Sequence, residues 1–197
     1  MNLSIIVTDT GPLITLAVAG SLDALLLPGL PVIIPDMVRH EVIQDLSKPG
    51  ATLVAEWIRS NPHKITVAAT EVYEEFMLLK SLNPATRTKN RGEQAASEVL
   101  GRELLEKDFG AVLVFEDSAV RKTNFLVRLP DNVVVTSTSE YLHGLESRHL
   151  IESAQLILDR AVDVRGKDIL TRSLAGTEDE TDTNWSQRMR SDNMQSM

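Results

Sequence analysis

Four acidic residues, Asp9, Glu41, Glu93 and Asp117, stand where a solvated acid does not belong. Asp9 and Asp117 come just after short apolar runs, residues 3–7 and 111–115. Glu41 and Glu93 fall on the apolar faces of helical patterns. At about 100° per residue, Glu41 points between Met37 and Val38, with Val42 and Leu46 on the same side. Glu93 shares its face with Ala96, Leu100 and Leu104. Carboxylates gathered in a buried cleft repel and desolvate badly unless a cation joins them. Taken singly, each acid also fits a structural role: Asp9 as a turn or cap before Gly11-Pro12, Asp117 as a helix cap, Glu93 as an acid favoured at a helix N-terminus. Taken together, two strand-end acids and two helix-face acids can converge on one crevice. The four histidines, His40, His63, His143 and His149, show no ligand spacing, and there is no cysteine. Hard oxygen donors without sulfur or clustered imidazole favour Mg²⁺ or Mn²⁺ over zinc. Such an ion lowers the pKa of bound water and holds a phosphoryl oxygen, so phosphodiester hydrolysis is the chemistry expected.

The elements that must position these acids alternate between strand and helix. Residues 3–7 form a β-branched run closed by Thr8-Asp9-Thr10-Gly11-Pro12, a strong turn signal. An apolar segment, 13–27, reads as one or two buried helices. A short strand at 32–34 ends at Pro35, and Asp36 is placed to cap a helix running to about Leu46. After the Pro49-Gly50 break come a helix over 51–59, a strand over 64–68 and a helix over 71–82. Residues 83–91 form a polar loop carrying Arg87, Lys89 and Arg91, and Gly92 opens a helix to about 107. A strand at 111–115, a short helix at 118–125, a strand at 133–135 and two helices within 139–164 complete the pattern. This alternation predicts an α/β fold, a three-layer α/β/α sandwich around a short parallel five-stranded sheet. In such a sheet ligands bind beyond the carboxyl ends of the strands, where Asp9 and Asp117 would lie.

Residues 1–165 are expected to form the domain. From 166 to 197 the composition turns to Thr, Ser, Asp, Glu and Asn, which predicts a polar, flexible tail. Aromatic residues make up 4% of the chain, so aliphatic packing must supply the core. The absence of cysteine excludes disulfides and fits a reducing cytoplasm, the expected location. Residues 1–9 lack a basic stretch followed by a long apolar run, and the segment 12–30 is broken by Ser21, Asp23 and two glycines. Neither a signal peptide nor a membrane span is expected. A net charge of −8 argues against coating a polyanion with the whole surface, but a local basic rim remains compatible with a nucleic-acid substrate.

The ordered motifs resemble the PIN-domain ribonucleases, which include the VapC-type toxins. Val7-Thr8-Asp9-Thr10-Gly11-Pro12-Leu13-Ile14 resembles the family's opening signature, a strand-end aspartate followed by a small hydroxyl residue. Pro35-Asp36-Met37-Val38-Arg39-His40-Glu41-Val42 resembles its second motif. Gly92-Glu93-Gln94-Ala95-Ala96 is similar to the Gly-Glu-x-x-Ala form of one branch, and the segment from Val114 to Arg121 resembles that branch's strand with paired acids, Ala and a basic residue. Val135-Thr136-Ser137-Thr138 resembles the final strand. Two departures stand out: Glu116 occupies a position where the branch usually has Asp, and Thr138 stands where a Gly-Thr pair would lead a helix. The first leaves open which acid of the 116/117 pair binds metal; Asp117 is preferred.

The resemblance implies metal-dependent cleavage of single-stranded RNA, often by a homodimer, and in toxins a partner antitoxin. On that footing Asp9, Glu41, Glu93 and Asp117 would be the catalytic and metal-binding acids. Glu116, Thr136 and Thr138 would orient water or the ligands, and Arg87, Lys89, Arg91, Arg121 and Lys122 would contact phosphate. The alternative is a PIN-like module that binds RNA or protein through a degenerate, non-catalytic site. A haloacid-dehalogenase-type phosphatase fits less well, since it needs a second acid where Gly11 stands.

Overall fold

The computed structural model describes residues 2–105, 109–116, 129–165 and 185–188. Five strands, β1 (Asn2–Thr8), β2 (Val32–Pro35), β3 (Ile65–Ala68), β4 (Phe109–Phe115) and β5 (Val133–Ser137), form one sheet in the order β3-β2-β1-β4-β5. Every pairing is parallel. Seven helices flank it among the described residues: α1 (Thr10–Val18), α2 (Asp36–Ile43), α3 (Ala51–Ser60), α4 (Glu71–Leu82), α5 (Arg91–Leu104), α6 (Thr138–Ser147) and α7 (Ala154–Arg165). Short 3-10 turns lie at Leu22–Leu25 and Trp185–Arg188. The predicted α/β/α sandwich with a five-stranded parallel sheet is the observed architecture.

The strands are apolar on both faces, as a parallel sheet covered by helices requires. Ile6, Val32, Ile34, Val112, Val114 and Val134 pack with Leu13 and Leu16 of α1, Tyr141 and Leu145 of α6 and Leu158 of α7. Their neighbours Ile5, Val7, Ile33, Ala111 and Leu113 point the other way, onto Ala96, Val99, Leu100 and Leu104 of α5. Alternation along the pleat sorts the two sets. Leu3 shares the first face with Ile6 despite the odd spacing, because the pairing of β1 with β4 shifts register between Leu3 and Ile5. The connections reverse direction between β1 and β4, so the topological switch point lies at the carboxyl ends of those two central strands.

Helix α2 sits astride two packing clusters. Val38 and Val42 enter the core on one face of the sheet, while Met37 joins Phe76 of α4 and Ala95 of α5. Two expectations for this helix are corrected. It ends at Ile43, and Leu46, assigned to its apolar face, is 57% exposed in the turn beyond. Asp36 is the first helical residue, with Pro35 in the cap position. Its carboxylate accepts the backbone N–H of Met37 at 2.8 Å, the backbone N–H of Thr70 at 3.1 Å and the Thr70 hydroxyl at 2.6 Å. It therefore clasps the start of α2 to the start of α4 as well as serving its own helix. The helix expected at 118–125 lies outside the described residues.

Thr70 is almost fully buried, so removing its partner strands polar groups away from water. Asp36→Ala should lower unfolding stability by roughly 2 kcal/mol, the range for hydrogen bonds to a charged acceptor. Urea unfolding monitored by circular dichroism measures it. An unchanged midpoint would show that the clasp contributes nothing.

Candidate active site

Asp9 ends the turn out of β1 and takes the N-cap position of α1 in an extended conformation. Its side chain makes no standard capping hydrogen bond, its backbone donor being the N–H of the adjacent Thr10. Its backbone N–H donates instead to the Val114 carbonyl of β4 at 3.1 Å, fixing it at the switch point. The carboxyl is pushed up to about 7. Burial is the main cause, opposed by a hydrogen bond from the Thr10 N–H and reinforced by the charges of Glu93, Glu41 and Glu116. Glu41, Glu93 and Glu116 thus all bear on Asp9 across a single crevice.

Glu41 reaches the crevice from α2. The Thr10 hydroxyl donates to its Oε2 at 2.7 Å. Its pKa is raised by burial and by the Glu93 charge, against the hydrogen bonds of Thr10, Thr88 and the Gly92 N–H. Glu93 lies in the first turn of α5, partly buried. Gly92, one residue before it, explains how the acids come so close to that helix. A Cβ placed there would lie 3.0 Å from Glu41 Oε2 and 3.1 Å from Asp9 Oδ1. Both carboxylate oxygens therefore converge on one point against the N-terminus of α5.

Glu116, 8% exposed, follows β4 directly and accepts the Thr138 hydroxyl on Oε1 at 3.0 Å. It lies so near α1 that a Cβ on Gly11 would meet Glu116 Cβ at 2.8 Å. Asp117, Arg121 and Lys122 lie outside the described residues. Thr136 is buried in β5, and its hydroxyl faces the Ser137 carbonyl at 3.4 Å. Arg87 and Lys89 are exposed on either side of Thr88, on the loop that touches Glu41. Arg91 is half-buried, 3.7 Å from Glu75 and with its guanidinium 5.6 Å from the Phe76 ring centroid, so it braces α5 against α4.

The donor set fits a hard divalent cation. It consists of carboxylate oxygens, two of them sharing one point at Gly92, and one acid held at a raised pKa by burial and, after it, by its neighbours' negative charge. Among the described residues no three such groups already close on a single position as ligands. Sequence reasoning gave Thr10, Thr88, Gly11 and Gly92 no part in holding or admitting the acids. The hydroxyl directly after Asp9 was a visible signal for the first. Nothing in the local pattern marks Thr88, which meets Glu41 only through the tertiary fold.

The family model DUF3368, described as a PIN domain, matches residues 5–86. Over residues 5–86 the chain is similar to a PIN domain. The matched segment carries Asp9 and Glu41, whereas Glu93 and Glu116 lie beyond it and join through α5 and β4. PIN domains are generally nucleases and typically use divalent metals. No curated protein and no solved structure matches the chain. No described helix is long and apolar enough to cross a membrane.

Two outcomes test this geometry. A raised carboxyl keeps its proton in the folded state after the unfolded chain has lost it, so its contribution to stability is greatest below about 4 and is lost as pH rises toward 7. In a chelator, Asp9→Asn should therefore raise the melting temperature more at pH 8 than at pH 5; an equal gain at both would refute the raised pKa. Gly92→Ala should displace the two carboxylates, which its Cβ would meet at 3.0 and 3.1 Å. Calorimetry should then show Mn²⁺ binding weakened roughly tenfold, within the range for disturbed ligand support.

Proposed function

We propose that this PIN-domain protein is a Mg²⁺- or Mn²⁺-dependent endoribonuclease that hydrolyses phosphodiester bonds of single-stranded RNA. The observation that carries this reading is the convergence of Asp9 and Glu41 oxygens against Gly92, at a buried switch point where burial first, and then the charges of Glu93, Glu41 and Glu116, make Asp9 hard to ionise. A divalent ion held by these acids would supply charge for a phosphoryl oxygen and acidify a water. Asp9 and Glu41 would bind it through the oxygens that meet at Gly92, with Glu93 and the Glu116–Asp117 pair completing the donor set. Thr10 holds Glu41 and Thr138 holds Glu116, which limits how far either acid swings. Arg87 and Lys89, exposed beside Thr88, would draw the RNA backbone to the acid floor despite the net negative charge.

The choice of RNA rests on the family resemblance. The same resemblance makes a toxin, with an antitoxin partner and a homodimeric assembly, the form of this activity we favour, in a cytoplasmic setting consistent with the absence of cysteine. A fluorophore-labelled single-stranded RNA incubated with Mn²⁺ and purified protein tests the activity. Asp9→Asn should retain its circular dichroism spectrum and lose cleavage by roughly 10²-fold or more, the scale for removing one group that stabilises transition-state charge. Full cleavage by the variant would sink the mechanism. A wild-type protein that binds no Mn²⁺ at millimolar concentration would instead support a PIN-like binding module without catalysis.

A further inference from the structure

The described residues of the polar C-terminal region, Trp185–Arg188, are packed on the protein. Trp185 is fully buried and stacks on Tyr141 of α6, ring centroids 4.7 Å apart and planes 12° from parallel. Its Nε1 faces the Glu140 carbonyl at 3.4 Å, and Arg148 at the end of α6 donates to the Ser186 carbonyl. Gly144 makes room for the ring: a Cβ there would lie 2.6 Å from the indole Cε2. Tyr141 is fixed from its far end, where its hydroxyl donates to the Ala24 carbonyl at 3.1 Å.

This contact falls on the turn of α6 that follows the site. Ser137 and Glu140 form a reciprocal capping box, each side chain accepting the other's backbone N–H. Between them Thr138, the first residue of the helix, holds Glu116. Trp185 thus packs against Glu140 and Tyr141, the residues that fix the helix start from which Thr138 reaches the acid. We propose that Trp185 is a positioning residue of the acid site, docking the C-terminal segment on α6 so that Thr138 keeps Glu116 in place. The proposal rests on reading these acids as a cation site. It assigns Trp185 to the site's framework, where composition alone suggested a free tail.

The test is a double-mutant cycle read by Mn²⁺ calorimetry on the full chain. Trp185→Ala should weaken Mn²⁺ binding about tenfold, as loss of support behind a ligand does, and Trp185→Phe should restore most of it. Thr138→Val should weaken binding to a similar degree, and adding Trp185→Ala to it should change binding by less than about twofold, because coupled residues are not additive. Gly144→Ala, which adds one methyl group and favours the helix, keeps the test decisive should Trp185→Ala misfold. It should displace the indole, red-shift Trp185 emission in a Trp57→Phe background, and weaken Mn²⁺ binding in parallel. Lower melting temperatures with unchanged Mn²⁺ affinity, or effects that multiply in the double variant, would overturn the proposal. A wild-type chain that binds no Mn²⁺ would instead overturn the cation site on which it rests.

Discussion

Asp9 carries its carboxyl into a crevice that Glu41, Glu93 and Glu116 also face, and each of these acids raises the cost of ionising it. Such a grouping persists in a fold only if donors are brought to it, and the topology brings them. Helices α1 and α6 start where β1 and β5 end, at the carboxyl edge of the sheet. Helix α5 leads into β4 from that same edge, its first turn beside Asp9 and Glu41. Three helix N-termini therefore meet the acids, where unpaired N–H groups and the helix dipole favour negative charge. The Thr10 N–H serves Asp9, the Gly92 N–H serves Glu41, and the hydroxyls of Thr10, Thr88 and Thr138 supply the rest. These donors lower the repulsion without abolishing it, and the residual charge is what the proposed cation would offset.

Close approach is what this arrangement demands of the backbone. Two of the three helix starts carry glycine against a carboxylate, Gly11 at Glu116 and Gly92 at Asp9 and Glu41. Glycine within a helix gives up stability relative to alanine. That loss is tolerated here because any Cβ would push apart oxygens that must converge, a local conflict between stability and function of the kind expected at a binding site. The clasp of Asp36 on Thr70 and the stacking of Arg91 on Phe76 act on the same helices from behind, holding α2, α4 and α5 together.

Much of this was legible in the sequence, for identifiable reasons. Strand and helix periodicity gave the layers, because both faces of the sheet are buried and its strands are short apolar runs between turn signals. Glu41 and Glu93 could be singled out because a helical wheel converts spacing into direction. The wheel failed at Leu46, where α2 stops too soon for periodicity to apply. Glu116 could not be separated from Asp117 by pattern, since adjacent acids at a strand exit differ only in where the chain turns. The structure shows Glu116 packed against Gly11 and held by Thr138. Contacts such as Thr88 with Glu41 join distant segments, and no local signal encodes them.

The C-terminal region shows the limit of compositional reasoning most clearly. A stretch poor in aliphatics is not expected to form a core of its own, and composition says that of residues 166–197 as a segment. It does not bear on whether one aromatic within the stretch completes a core built elsewhere. A tryptophan buries more apolar surface than any residue around it in that stretch, and aromatic pairs gain further from offset stacking. Trp185 on Tyr141, above the missing side chain of Gly144, is such a completion. Helix α6 follows an edge strand, β5, and packs on α7, so the indole adds cover to a helix at the margin of the sheet. Because the start of that helix holds Glu116, the proposed coupling would run from Trp185 to Glu140, through the capping box to Ser137, and by Thr138 to the acid.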